Sequence, residues 1–237
     1  MEINYYLCYN NLDKKNTRKV NIMKVLVTGT SEGIGKSIAQ KFLNEGHEVI
    51  GIDINQATIE HKSYTHIQKN ICDKYLPNIE NIEILVNNAG VQDSGNDIDI
   101  NLKGTIAITE KYGIQSQIKS IVFIASSSAT TGSEFPEYVA SKGGVVSYMK
   151  NVALRVAQYG ATSNSISAGG VITKLNQHII DDPNLWQQVL NETLLNKWAS
   201  SEEIADFTYF ISVINKSMTG QDIFIDNGEA LKSNFIW

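Results

Sequence analysis

Tyr138-Val-Ala-Ser-Lys142, with Tyr138 twelve residues beyond Ser126, carries more chemistry than any other pattern in this chain. On a helix, positions i and i+4 share a face, so the phenol and the ammonium point the same way. A lysine cation beside a tyrosine favours the phenolate and is expected to pull the phenol below its usual pKa of ~10. The hydroxyl then becomes a usable proton donor and acceptor near neutral pH. An isolated Tyr-x-x-x-Lys pair sits idle on many surface helices, so the pair acquires meaning only from its surroundings.

The first of these is Val25-Leu-Val-Thr-Gly29-Thr-Ser31-Glu32-Gly33-Ile34-Gly35. A β-forming apolar run, Lys24 to Val27, breaks into glycines and leads into Lys36–Leu43, whose apolar residues recur at helical spacing with Gly46 as the C-cap. Glycines at a strand-to-helix turn let the backbone approach a pyrophosphate, and the helix N-terminus supplies N–H donors and a positive dipole. The next strand, His47 to Asp53, ends in a carboxylate eighteen residues past Gly35. An acid there can hold both ribose hydroxyls of an adenosine and repels a 2′-phosphate. No basic residue stands in the turn, and Glu32 adds negative charge, so NAD is favoured over NADP. The same turn also spells G-x-S-x-G, a hydrolase nucleophile elbow. That fold needs strands and an oxyanion loop upstream, and it leaves Gly35 and Asp53 without a role.

The elements that position these residues read as alternating strands and helices. Strands are predicted at Ile82–Val86, Ile118–Ser126, Thr162–Ser167 and Asp222–Asp226. Helices are predicted over Tyr138–Ala157 and from Glu202, with Ser201 as its cap. Alternation of this kind implies an α/β fold: a single doubly wound Rossmann-type domain over residues 23–237, with a parallel sheet and helices on both faces. Its ligands belong at the carboxyl ends of the strands.

A chain of 237 residues with 42% hydrophobic and 19% charged residues suits one enzyme-sized domain. Its net charge of −5 gives no reason to expect nucleic acid or an anionic membrane as partner. No apolar run approaches the ~20 residues that span a membrane. Cys8 and Cys72 form neither a metal spacing nor a disulfide framework, His47, His61, His66 and His178 do not cluster, and no metal is expected. A reducing, cytoplasmic setting is the simplest inference. Residues 1–22, polar and Asn-rich, read as a mobile extension or a start-site artefact.

Taken together the chain resembles the classical short-chain dehydrogenase/reductase family over about residues 23–230. The matching segments, in family order, are Thr28-Gly-Thr-Ser-Glu-Gly-Ile-Gly35, Asn87-Asn-Ala-Gly90, Asn101 in Asp99-Ile-Asn-Leu-Lys, Ser126, Tyr138-Val-Ala-Ser-Lys142, and Met218 to Gly228. The resemblance implies Tyr138 as catalytic acid/base and Ser126 as the group that holds the carbonyl or alcohol oxygen. It implies that Lys142 binds the nicotinamide ribose and that Asn101 anchors a water linking Lys142 to solvent. Gly29, Ser31, Glu32, Gly33, Ile34 and Gly35 would form the phosphate turn, and Asp53 would take the ribose. Asn70 and Ile71 would stand at the adenine, Asn87, Ala89 and Gly90 at the adenosine and ribose side, and Val171 and Thr173 at the carboxamide end. Ser127 and Ser128 adjoin Ser126, so the register of the preceding strand decides which serine faces the site.

Departures from the family pattern carry expectations of their own. Asn70 replaces a usual Asp, and Ala168 a usual Pro, which would loosen the segment under the nicotinamide. Only ten residues separate Gly90 from Asn101, and the stretch from Asn70 to Asn87 is compressed, so one helix is expected to be stunted. Residues 172–197 read as a mobile, largely apolar lid over a small alcohol or ketone substrate. The functional reading is an NAD(H)-dependent oxidoreductase interconverting a secondary alcohol and a ketone, acting as a homo-oligomer (dimer or tetramer). The second class kept beside it is a nucleotide-binding sensor or scaffold of the same fold.

Overall fold

Lys24–Thr28 (β1) is buried along nearly its whole length, as an apolar run in a sheet covered on both faces must be. In this computed structural model, which describes residues 21–232, β1 is followed by α1 (Gly33–Asn44), β2 (Glu48–Asp53), β3 (Tyr64–Gln68) and β4 (Ile84–Asn87). A π-helical turn at Ile98–Gly104 runs into α2 (Thr105–Tyr112). Then come β5 (Ser120–Ile124), α3 (Ser128–Thr131), α4 (Pro136–Val156) and β6 (Thr162–Ala168). The last part holds β7 (Val171–Ile172), α5 (Gln177–Ile180), α6 (Pro183–Asn191), β8 (Ala199–Ser200), α7 (Ser201–Tyr209) and β9 (Asp222–Ile225). The predicted extension falls almost wholly in residues 1–20, outside the described residues.

Seven strands form one sheet in the order β3-β2-β1-β4-β5-β6-β9, every pair parallel. The order in which strands are added reverses between β1 and β4, which opens a crevice at their carboxyl ends. One core lies between the sheet and α1 with α7, around Ile38, Phe42, Ile204 and Ile211. The other lies between the sheet and α2 with α4, around Ile108, Met149, Val152 and Val156. No helix among the described residues is long and apolar enough to cross a membrane.

Several boundaries move from their predicted places. Gly46 adopts φ 87 just beyond the Glu45 C-cap, the left-handed residue that ends α1. Helix α4 starts at Pro136, whose ring is tolerated in a first turn that lacks N–H acceptors. The cap of α7 is Ser200, not Ser201: its hydroxyl accepts from Glu203 N while Glu203 accepts from Ser200 N, a capping box. Of the two stretches expected to be shortened, the one from Asn70 to Asn87 has lost its helix. Residues 54–63 and 69–83 cross between strands without a helix, whereas the helix through Asn101 survives with a π-turn at its front.

β6 is unusual for a strand between two others. Its buried residues include Ser163, Asn164, Ser165 and Ser167. Ser163 Oγ donates to Met149 O, Asn164 Nδ2 donates to Met218 O, and Ser165 and Ser167 donate to the Asp222 carboxylate. Every hydroxyl has found an acceptor, which is the condition for polar side chains in a core.

Candidate active site

The glycine turn is stitched to the end of β4. Thr28 Oγ1 accepts from both Asn88 N and Ala89 N at 3.0 Å, and Asn88 Nδ2 donates to Thr28 O and Gly29 O. The approach is close enough to demand glycine: a Cβ on Gly35 would stand 2.0 Å from Gly29 O and 2.4 Å from Asn88 Nδ2. Asn88, which reads in the sequence as a turn former, is therefore the residue that shapes the loop. Helix α1 begins here with no side-chain cap from Glu32 and no acid in its first turn, so its leading N–H groups are left for an incoming anion.

Asp53, almost fully buried at the end of β2, is aimed by two backbone donors, Ser31 N at 2.9 Å and Asn55 N at 2.8 Å. It therefore sits against the glycine turn, where the ribose role would require it. Several predicted neighbours contribute differently than expected. The Ser31 hydroxyl turns away to donate to Gln56 O, leaving its backbone to the site. Ile34, in the first turn of α1, packs partly against the core. Asn70 Oδ1 accepts from Cys72 N, and Ile71 is buried against Gly104, where a Cβ would meet its side chain at 2.8 Å. The Asn87 amide donates to Thr109 Oγ1 inside the fold and so braces α2.

Around Tyr138 the predicted residues converge. The strand β5 ends at Ile124, and the turn after it buries Ser126, Ser127 and Ser128. Ser128 Oγ donates to Ser126 Oγ at 2.9 Å, Ser127 donates to Glu229, and of the three serines it is Ser126 that acts on the Tyr138 phenol, favouring its ionised form. Lys142, one turn along α4, is buried, donates from Nζ to Ile124 O at 2.9 Å, and lies 5.6 Å from the Tyr138 ring centroid. A Cβ on Gly90 would touch both Asn101 Oδ1 at 3.1 Å and Lys142 Nζ at 3.4 Å. Gly90, Asn101 and Lys142 thus form one wall of the cleft. Asn101, in the π-turn, clamps Val91 at both N and O and donates to Ser141 Oγ. Single π-turns inside helices recur at functional sites because the extra residue re-aims a side chain or carbonyl.

The electrostatics correct one expectation. Tyr138 is pushed up to about 12, not down, chiefly by burial and then by the Glu134 charge, with Ser126 pulling the other way. Lys142 is lowered to about 8 by burial, opposed by Glu134 and Asp97. The ammonium is directed at the Ile124 carbonyl rather than the phenol oxygen, so burial dominates both groups. Asp97 holds the loop before the π-turn, accepting from Asp93 N, Ser94 N and the Ser94 hydroxyl. Glu134 sits at φ 79, a left-handed conformation that a side chain rarely adopts.

Val171 is buried in β7, and Thr173 starts the next turn directly over the glycine loop, 3.6 Å from where a Gly33 Cβ would stand. Beyond it, α6 is capped by Asp182, which accepts from Asn184 N and Leu185 N, and none of its residues is buried. Trp186 meets Trp198 edge-on at 5.2 Å, and Trp198 lies on Gly170. His178 is exposed.

A family model described as enoyl-(acyl carrier protein) reductase matches residues 67–229. The 3-oxoacyl-(acyl-carrier-protein) reductase of Buchnera aphidicola subsp. Schizaphis graminum is 31% identical over 248 residues, spanning 89% of this chain and 98% of its own. The ligand-free aldohexose dehydrogenase of Thermoplasma acidophilum superposes with a TM-score of 0.81 at 25% identity, covering 92% of this chain and 98% of that one. A 4-hydroxyisoleucine dehydrogenase complexed with NADH shares the fold, with a TM-score of 0.80 at 23% identity over 89% of this chain and all of that one. Sheet order, ordered motifs and these likenesses agree: the chain belongs to the classical short-chain dehydrogenase/reductase family and is an oxidoreductase.

Proposed function

We propose that the protein interconverts a secondary alcohol and a ketone with NAD(H), and the observation that carries this is the meeting of Ser126, Tyr138 and Lys142 beside the glycine turn. The chain's own residues fit a dinucleotide: the uncapped start of α1 suits a pyrophosphate, and Asp53 suits a ribose diol. Gly90 packs close against Lys142 Nζ, the ammonium that would meet the second ribose. The cofactor supplies the hydride. Ser126 donates to the substrate oxygen, and Tyr138 gives that oxygen its proton in the reducing direction or takes it in the oxidising one. Lys142 restores Tyr138 by stabilising its phenolate once negative charge develops there. Asp53 and Glu32 are both acids where a 2′-phosphate would lie, which supports NAD over NADP. Residues 172–197 act as the lid, with α6 as its exposed arm.

The enzyme acts as a homo-oligomer in this reading. β9 is an edge strand with exposed Phe224, and such an edge is normally covered.

Incubating the protein with NADH and a panel of carbonyl compounds, and following NADH absorbance, tests the reading. Turnover is expected, Tyr138→Phe should lose on the order of 10³-fold in kcat/KM, and NADPH should be the poorer reductant. Equal turnover in the variant removes Tyr138 from the mechanism; NADH binding without turnover on any carbonyl points to the sensor class.

A further inference from the structure

The loop after β9 reaches back to the turns that follow β5 and β6. Asp226 is nearly buried and folds this loop by accepting from Gly228 N at 3.0 Å and Ala230 N at 2.8 Å. Asn227 and Gly228 follow at φ 55 and φ 82, so the turn is tight. It delivers Glu229 between two segments far apart in sequence. Glu229 Oε1 accepts from Ser127 Oγ at 3.3 Å, and Oε2 accepts from Gly170 N at 3.3 Å. The fit leaves no slack, since a Cβ on Gly169 would come within 2.6 Å of Glu229 Oε2.

Each of the two segments leads into the site. Ser127 follows Ser126, the donor to the substrate oxygen. Gly170 precedes Val171 and Thr173, the segment assigned to the cofactor's carboxamide. Their backbones meet where Ser127 N donates to Ala168 O at 2.8 Å, and Gly169 N donates to Ile225 O at 3.1 Å. Ala168 was expected to loosen this stretch. Instead it is tied at the last pair of β6 with β9, and the carboxylate of Glu229 closes the far side.

We propose that Glu229 is a positioning residue, a carboxylate latch that sets the serine loop at a fixed distance from the Gly169–Thr173 segment and so aligns the proton-donor side of the site with the hydride side. This rests on the reaction proposed above, though the latch itself is a property of the fold. Both ends of the latch are donors, Ser127 O–H and Gly170 N–H, so an acceptor on each arm is required. Glutamine keeps one acceptor and turns an amide N–H toward the other donor. Burial pushes the Glu229 carboxyl up, and its two donors pull it back, as expected of a charge held by hydrogen bonds.

Hydrogen exchange followed by mass spectrometry on the free protein reads the latch without any turnover. Glu229→Ala should raise exchange about tenfold or more in residues 126–131 and 169–173 together, with Ser127→Ala reproducing the effect at both segments and Glu229→Gln lying between. With turnover, Glu229→Ala should lower kcat about 10- to 100-fold, because a misplacement near 1 Å costs that much. The NADH dissociation constant, from tryptophan-to-nicotinamide energy transfer, should stay within about threefold (under ~1 kcal/mol). Unchanged exchange in the two segments overturns the latch, as does exchange that rises equally over the whole chain, or an unaltered kcat. A wild-type protein without turnover sinks the proposed reaction while the exchange data still decide the latch.

Discussion

Lys142 buries a cation whose hydrogen bond goes to a neutral carbonyl, and the fold bears the cost. With its pKa lowered to about 8 by burial, the folded protein sheds this proton before the unfolded chain does. Stability is therefore expected to rise with pH between about 8 and the ordinary lysine value of 10.5. Lys142→Met removes the charge and keeps the bulk, leaving only the Ile124 carbonyl without its donor. The variant is expected to lose turnover yet gain on the order of 1–2 kcal/mol at neutral pH, and to lose the alkaline slope. Thermal melts from neutral to alkaline pH check both. The residues flanking this pair show how far side-chain types alone can be read. Tyr138, Lys142, Asp53 and the glycines are legible because their spacing presupposes one local geometry. The choice among Ser126, Ser127 and Ser128 depends on where β5 stops, and the phenol's upward shift depends on burial that no spacing reports. Asn88 and Glu229 act through contacts 60 and 59 residues distant in sequence, with Thr28 and Gly170, and carry no local signature.

At the scale of elements, the first unit, β1 through α1 to β2, is legible because glycine, periodicity and an acid at the strand end agree. α7 is legible too, though its cap lies one residue earlier than predicted: Ser200 and Ser201 are chemically alike, and only the hydrogen bonds of the capping box distinguish them. Ser200→Ala is expected to cost about 1 kcal/mol, which for a chain this long lowers the melting midpoint by about 2–4 °C, with kcat unchanged; calorimetry and a steady-state assay together test it. β3 escapes prediction because Tyr64-Thr-His-Ile-Gln68 has no buried face of its own and is held by its pairing with β2. The π-turn escapes for another reason, since one extra residue in a turn leaves the apolar periodicity around it nearly intact.

The whole molecule presents two unlike sheet edges. β3 ends the sheet with polar side chains, whereas β9 ends it with Asp222-Ile-Phe-Ile225. For the homo-oligomer proposed above, Phe224→Glu on that edge is expected to shift the mass toward monomer in size-exclusion chromatography with light scattering, and an unchanged mass rules this edge out as the interface. Between the edges, β6 works as a combination lock. Its serines and asparagine meet their acceptors at one alignment only, and a slip of one residue would turn each to the opposite face. Four polar groups would then be dry and unpaired, at about 1–3 kcal/mol apiece. Because Ser127 N rests on Ala168 O at the end of this strand, the lock also proofreads the chemistry: a copy folded out of register forfeits its stability before it can present a misplaced serine.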